Sequence, residues 1–194
     1  RVTKYEAQLL VVGVFLYLLN AQGDPVGLMM DGDKALFLEP RKTSEGVAQM
    51  VFQLSSSKPS HPSSLLTSLS SLRNRLRKPS VIWICSDFDN DPELLLEKIK
   101  SCRNDGHDVR VLHFFHPHER DMPWEGECEF EDMEEAFSGI KVHPADLRAQ
   151  YHQEYLSHQK LIKSRLIQMG IPYYLYDITQ PVEQIVIDIF QSQS

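Results

Sequence analysis

Apolar residues recur along this chain in two rhythms, and the changes between them predict its elements. Tyr5 to Gln22 is apolar nearly all round (Ala7, Leu9, Leu10, Val11, Val12, Val14, Phe15, Leu16, Tyr17, Leu18, Leu19), which predicts a helix packed on several sides. Gly23-Asp24-Pro25 stops it. Val26 to Met30 and Ala35 to Leu38 predict two short strands around Asp31-Gly32-Asp33, a hairpin pattern. Ser44 to Leu54 places Val47, Met50, Val51 and Leu54 on one helical face behind a Thr43 or Ser44 cap. Ser55 to Ser64 is a loop. Leu65 to Leu76 is a helix whose end, with Arg73, Arg75, Arg77 and Lys78, suits the negative helix pole.

Val81 to Cys85 is a short β-branched and apolar run between Pro79 and polar residues. It predicts a central strand buried on both faces. The run breaks into Ser86 and three acids at alternate positions, Asp87, Asp89 and Asp91. Asp91-Pro92-Glu93 carries the signs of a helix start, so Pro92 to Asn104 reads as a helix, stopped by Gly106. Asp108 to Phe115 is a second buried strand. An irregular acidic region runs from His116 to Glu135, anchored by Phe130, Met133 and Phe137, before a short strand over Ile140 to His143. Pro144 to Met169 is a long helix with Leu147, Tyr151, Tyr155, Leu156, Ile162, Leu166 and Met169 at its apolar positions. Tyr173 to Asp177 and Val182 to Phe190 close the chain as strand and helix. Three strand–helix units predict an α/β fold: a three-layer, doubly wound, mostly parallel sheet with helices on both faces, in one domain over residues 1–194. Asp87 then sits at the carboxyl end of a central strand, where open α/β sheets bind ligands.

Totals narrow the function. The chain has 194 residues, 42% hydrophobic and 24% charged, enough for one α/β domain with a sizeable core. Twenty basic residues against 27 acidic ones leave a net charge of −7, which argues against a general nucleic-acid binder. Cys85, Cys102 and Cys128 lack CxxC spacing and read as free thiols of a reducing, cytoplasmic compartment. The longest apolar run, Leu9 to Leu19, falls short of the ~20 residues that span a bilayer. No GxGxxG or Walker A sequence marks a phosphate-cradling loop.

Several segments, taken in order, resemble one family. Lys4-Tyr5-Glu6-Ala7, Gly23-Asp24-Pro25-Val26-Gly27-Leu28, Phe37-Leu38-Glu39-Pro40-Arg41, Ile84-Cys85-Ser86-Asp87-Phe88, Gly106-His107-Asp108-Val109 and Gly170-Ile171 with Tyr173 carry the resemblance. So do Glu119, the stretch Phe130-Glu131-Asp132-Met133-Glu134, and Leu147 with Tyr151. The chain resembles a von Willebrand factor A-like domain, and more narrowly the bacterial domain of unknown function 58 family, often encoded beside MoxR-type AAA ATPases. The resemblance implies a metal-ion-dependent adhesion site in which a DxSxS loop, a Thr and an Asp hold one Mg²⁺. Asp87 matches that Asp, and Ser63 stands near the Thr position. No DxSxS occurs in these residues, so the family's first strand is expected upstream of Arg1 and the Mg²⁺ site is expected to be degenerate or incomplete. The implied function is a non-enzymatic interaction module working with a MoxR-type ATPase, with residues 116–143 as an acidic insert.

A rival from another class is a metal-dependent hydrolase. In it Asp87 and Asp89 would bind the ion, the nearby histidines would serve as acid or base, and Asp177 would supply a second carboxylate; His113, His116 and His118 also invite a transition-metal reading, since imidazole is a common ligand. Helix capping is the plainer role for Asp91, and a polar strand exit the plainer role for the histidines. The run Glu127, Glu129, Glu131, Asp132, Glu134 and Glu135 is either a solvated face or a docking surface for a basic partner.

Overall fold

The computed structural model describes residues 2–31, 35–58, 65–89, 91–126, 128–130 and 140–191. Among these the elements run α1 (Lys4–Ala21), β1 (Val26–Met30), β2 (Leu36–Arg41), α2 (Ser44–Ser56), α3 (Leu65–Arg75), β3 (Val81–Ser86), α4 (Pro92–Asn104) and β4 (Asp108–Phe115). They continue with α5 (Pro117–Asp121), β5 (Cys128–Phe130), β6 (Ile140–Val142), α6 (Pro144–Gln168), β7 (Tyr173–Asp177) and α7 (Val182–Gln191). No helix among the described residues is long and apolar enough to cross a membrane.

The centre is a parallel sheet in the order β3–β4–β7. Ile84 lies opposite Val111, and Val111 opposite Tyr173. Alternation along the strands sends side chains to two faces. Ile82, Ile84, Val109 and Val111 pack with α3, α4 and α6 through Leu69, Leu95, Ile99, Ile162 and Leu166. Leu112, Phe114 and Tyr176 pack with α1 and α7 through Val11, Phe15, Ile185 and Ile189. The result is a mixed α/β structure with helices on both faces of a three-stranded parallel sheet.

A second, smaller core joins Leu16 of α1 to Val26 and Leu28 of β1 and to Val47, Met50 and Leu54 of α2. The antiparallel β1–β2 pair is a separate sheet, irregular between Val26 and Leu28. Gly27 sits at that irregularity. A Cβ there would lie 3.0 Å from the Leu38 carbonyl and 3.1 Å from the Pro40 ring, so a larger residue would make the partner strand give way by a few tenths of an ångström.

Four expectations need correction. β3 is an edge strand among the described residues, with Val81 56% exposed, and β4 takes the central place. Its apolar run reads as doubly buried because α-helices cover both of its faces; hydrogen bonding on its far side is what it lacks. The region after His116 is not irregular throughout, since it contains α5 and the antiparallel β5–β6 pair. Leu147 and Leu156 are exposed on α6, whose buried positions are Pro144, Ile162 and Leu166. Leu10 and Tyr17 leave one side of α1 open. Met133 and Phe137 lie outside the described residues.

Ile162 is fully buried between α6 and the sheet. Ile162→Ala is expected to cost about 2–5 kcal/mol by chemical denaturation. Ile187→Ala, at a position 45% exposed, should stay within about 0.5 kcal/mol of the parent.

Candidate functional site

The turn that leaves β3 sets the site. Phe88 adopts a left-handed backbone, with φ of 57°. Such a conformation costs a bulky L-residue about 1–2 kcal/mol. Full burial of the Phe88 ring, worth about 1.5–3 kcal/mol, offsets that cost. The ring packs beside His113, with centroids 5.1 Å apart. The Phe88 N–H donates to Ser86 Oγ at 3.1 Å, and its carbonyl accepts from His158 Nε2 at 3.1 Å. With Phe88 turned into the core, the flanking Asp87 and Asp89 reach out to one cation.

That cation is Lys4. Its Nζ lies 3.1 Å from Asp87 Oδ2, 3.3 Å from Asp89 Oδ2 and 3.0 Å from Glu119 Oε1. An ammonium has three donors, and three carboxylates face them. Glu119 is itself held in place: its Oε2 accepts the His116 N–H at 3.4 Å, while His116 Nδ1 accepts the His118 N–H at 3.0 Å, a cap for α5. Burial alone would lower the Lys4 pKa, but Asp87, Asp89 and Glu119 outweigh it and hold Lys4 above its ordinary range. Burial likewise opposes ionisation of Asp87, and Lys4 outweighs it, so this carboxyl is held below its ordinary value. Asp89 moves up through enclosure by surrounding protein and the Asp87 charge. Its side chain is 71% exposed, so we give the charge the larger weight.

Helix α6 forms the opposite wall. His152 Nδ1 donates to the Arg120 carbonyl at 3.1 Å, and Arg148 donates to the carbonyls of Met122 and Trp124, each at 3.0 Å, which ties α6 to the end of α5. One helical turn on, Tyr151 and Tyr155 stack with centroids 6.3 Å apart, and Gln159 Nε2 donates to the Tyr155 hydroxyl at 2.9 Å. Burial, then the Glu119 charge, pushes Tyr155 up to about 12. Below, burial lowers His113 to about 4 and so keeps it neutral. Burial holds Tyr173 above its ordinary range, and the Tyr173 hydroxyl shares a hydrogen bond with His113 Nδ1 across 2.8 Å. Lys4, Asp87, Asp89, Glu119 and the α6 residues Tyr151, Glu154, Tyr155 and His158 line an open cleft of about 460 Å³.

The structure therefore brings Asp87 and Asp89 together. Ser63 lies outside the described residues, as do Glu127, Glu131, Asp132, Glu134 and Glu135 of the acidic run. Asp91 caps α4, accepting from the N–H groups of Glu93 at 2.9 Å and Leu94 at 3.3 Å. Asp177 accepts from Thr179 N–H and Oγ1 in the turn after β7 and does not line the cleft. His116 and His118 pack ring against ring at 4.5 Å. Among the described residues no group of three or more His, Cys, Asp and Glu is arranged to hold a metal ion. Burial pushes the Cys85 thiol up to about 12, which disfavours the thiolate. Sequence reasoning missed Lys4, Tyr151, Tyr155 and His158 as site residues. One signal was present: a lysine in the first turn of a helix stands at the wrong pole of the dipole. The other was the helical spacing of Arg148, His152, Tyr155 and Gln159 on one α6 face.

The family model described as protein of unknown function DUF58 matches residues 1–161. The chain is similar in structure to the conserved hypothetical protein BatB from Bacteroides thetaiotaomicron, at a TM-score of 0.56 and 18% identity over 98% of this chain and 89% of that one. It is also similar to an aerotolerance-related membrane protein from Bacteroides fragilis carrying multiple mutations to serine, at a TM-score of 0.54 and 18% identity over 94% and 88%. At these identities the likeness is one of fold. No curated protein matches the sequence.

The carboxylates around Lys4 differ in sign of effect. Lys4→Met is expected to cost roughly 1–3 kcal/mol at neutral pH, because it leaves three carboxylates facing one another. The loss should shrink as acid protonates them. The Asp87 contribution is fully present above the ordinary carboxylate pKa and lost as pH falls through its lower folded value, so Asp87→Asn should destabilise at neutral pH. Asp89 has the opposite sign: its penalty is full above its raised pKa and disappears below it. Asp89→Asn should therefore stabilise at neutral pH, with an advantage that narrows on acidification. Denaturant midpoints across pH check both, and NMR of the His113 imidazole should show it titrating only near pH 4.

Proposed function

The chain belongs to the family of proteins of unknown function DUF58, and from that premise we propose that it is a non-enzymatic protein-docking module that binds its partner in the cleft beside Lys4. The observation that carries this reading is the saturation of the Lys4 ammonium by Asp87, Asp89 and Glu119. In an adhesion site of the von Willebrand A type, a divalent cation bound by the strand-end Asp would accept a carboxylate from the partner. Mg²⁺ does not fit the described residues here, because a tethered ammonium stands where Asp87 would hold the ion. Three carboxylates lie within 3.3 Å of its Nζ. One positive charge against three negative ones, with Glu154 beside them, favours a basic side chain on the partner. The stacked faces of Tyr151 and Tyr155 suit such a cation further. By family resemblance the partner is a MoxR-type AAA ATPase, and the work is assembly or remodelling of other proteins in the cytoplasm.

The finer fold belongs to the same proposal. Helix α1 packs on β1 and on β3, and α3 packs on β1 and on α4, while Ser68 of α3 donates to Asp31 at the end of β1 at 2.9 Å. β1 and β3 are thus bridged by α1 without being paired with each other. One further parallel strand between them would make a single doubly wound sheet of von Willebrand A type, and would put β3 back in the middle.

Binding of the immobilised chain to the MoxR-type ATPase of the same organism tests the function. Saturable binding is expected, equal in EDTA and in Mg²⁺, and weakened more than about tenfold by Asp87→Ala. Absence of binding, or binding that requires Mg²⁺, would overturn the reading. Phosphoester turnover with Mg²⁺ or Mn²⁺ that is lost in Asp87→Asn would replace it with the hydrolase.

A further inference from the structure

The other end of the parallel sheet carries an arrangement of opposite sign. Helices α4 and α6 lie on the same face, joined through the core by Leu95, Ile99, Cys102, Ile162 and Leu166. Each returns to the amino end of a strand, α4 to β4 and α6 to β7. Between their last turns is a cleft of about 300 Å³ lined by Lys100, Arg103, Asn104, Arg165, Gln168 and Met169. Three side chains are cations, two are carboxamides, and none is an acid.

These cations are not ion-paired. Elsewhere Arg73 binds Asp105, Arg110 binds Asp108, Arg120 binds Asp121, and Lys4 has its three carboxylates. Among the described residues, Lys100, Arg103 and Arg165 have no carboxylate within ion-pair distance and no side-chain hydrogen bond. The negative pole of each helix accounts for one cation at its end. It does not account for three around one concavity.

The backbone also makes room for the crowding. Gly170 follows α6 with φ of +64°, and Arg103 Nη2 lies 3.2 Å from where a Cβ on residue 170 would stand. The bare glycine lets the Arg103 guanidinium of α4 lie over the turn that ends α6, the helix carrying Arg165. Like charges brought together without a counter-charge repel, and an anion in the cleft turns that repulsion into attraction.

We propose that the cleft between the carboxyl ends of α4 and α6 is an oxyanion site that takes a phosphate or diphosphate group, with Arg103 and Arg165 as forked donors, Lys100 as a point charge and Asn104 and Gln168 as neutral donors. Guanidinium forks match phosphate oxygens in pairs. Room for one or two phosphates, with Met169 as the apolar contact for whatever they are attached to, sets the size of the ligand. The site lies at the opposite end of the sheet from Asp87, so it is independent of the docking cleft.

Calorimetric titration of the full chain with inorganic phosphate and with pyrophosphate, at fixed ionic strength, tests the site. A second arm floats the protein with vesicles of phosphatidylglycerol against vesicles of phosphatidylcholine. Saturable pyrophosphate binding is expected, weakened about tenfold for each guanidinium lost in Arg103→Gln and Arg165→Gln. Gly170→Ala should weaken it by displacing Arg103, and Asp87→Ala should leave it unchanged. Capture by phosphatidylglycerol vesicles alone, lost in the double variant, supports the site and assigns the phosphate to a lipid headgroup. Circular dichroism of each variant shows that it remains folded. No binding in either arm, or binding that the folded double variant retains, overturns the proposal.

Discussion

The candidate site depends on one ammonium. Lys4 reaches from α1, on one face of the sheet, to the loop after β3 and to the first turn of α5. A charge in such a place is tolerated only when it is paired and hydrogen-bonded. Here the pairing is threefold, and each acid is fixed independently: Asp87 and Asp89 by the buried Phe88 between them, Glu119 by its bond to the His116 N–H. The ammonium is therefore a positioning element for three segments distant in sequence. Without it the three carboxylates would have no reason to share a site.

Local rules are broken where the residues of the candidate site gather. Phe88 takes a backbone conformation that favours glycine, Lys4 stands at the unfavourable pole of its helix, and His116 serves as a helix cap in place of the usual Ser, Thr, Asp or Asn. Each departure is stabilised by a neighbour: the core under Phe88, the acids around Lys4, and Glu119 beneath His116. Such departures persist only where the surrounding structure over-determines them.

The frame of the fold was legible because it rests on periodicity. The apolar run in β4 reports a strand buried on both faces, with Val109 and Val111 in one core and Leu112 and Phe114 in the other, and helical spacing in α2 and α4 reports the buried face except at Val51, which is 41% exposed. Asp91 and Pro92 announced the start of α4 by chemistry local to four residues. The site was legible only in part. Asp87 is visible as the polar residue that ends an apolar strand. The cation it binds lies 83 positions earlier in the chain, and no periodicity connects Lys4 with Asp87 or Glu119. The edge position of β3 was illegible for a related reason: apolar patterning reports burial of faces, whereas hydrogen bonding at the edge depends on which other strand arrives. Tyr151 and Tyr155 looked like core because aromatic residues at helical spacing usually are, and only the placement of α5 opposite them opens a cleft instead.

The formal charge of −7 describes neither end of the sheet. At the carboxyl ends of the strands, Asp87, Asp89, Glu119 and Glu154 outnumber Lys4. At the amino ends, Lys100, Arg103 and Arg165 converge with no acid among them. Fields of this kind guide approach and reject the wrong sign more than they add affinity. A metal ion at Asp87 would have drawn a carboxylate toward the first end. A lysine amine faced by three acids leaves an excess of negative charge there. Asp87 follows the carboxyl end of a parallel strand, and one lysine in the first turn of α1 sets the balance of charge there.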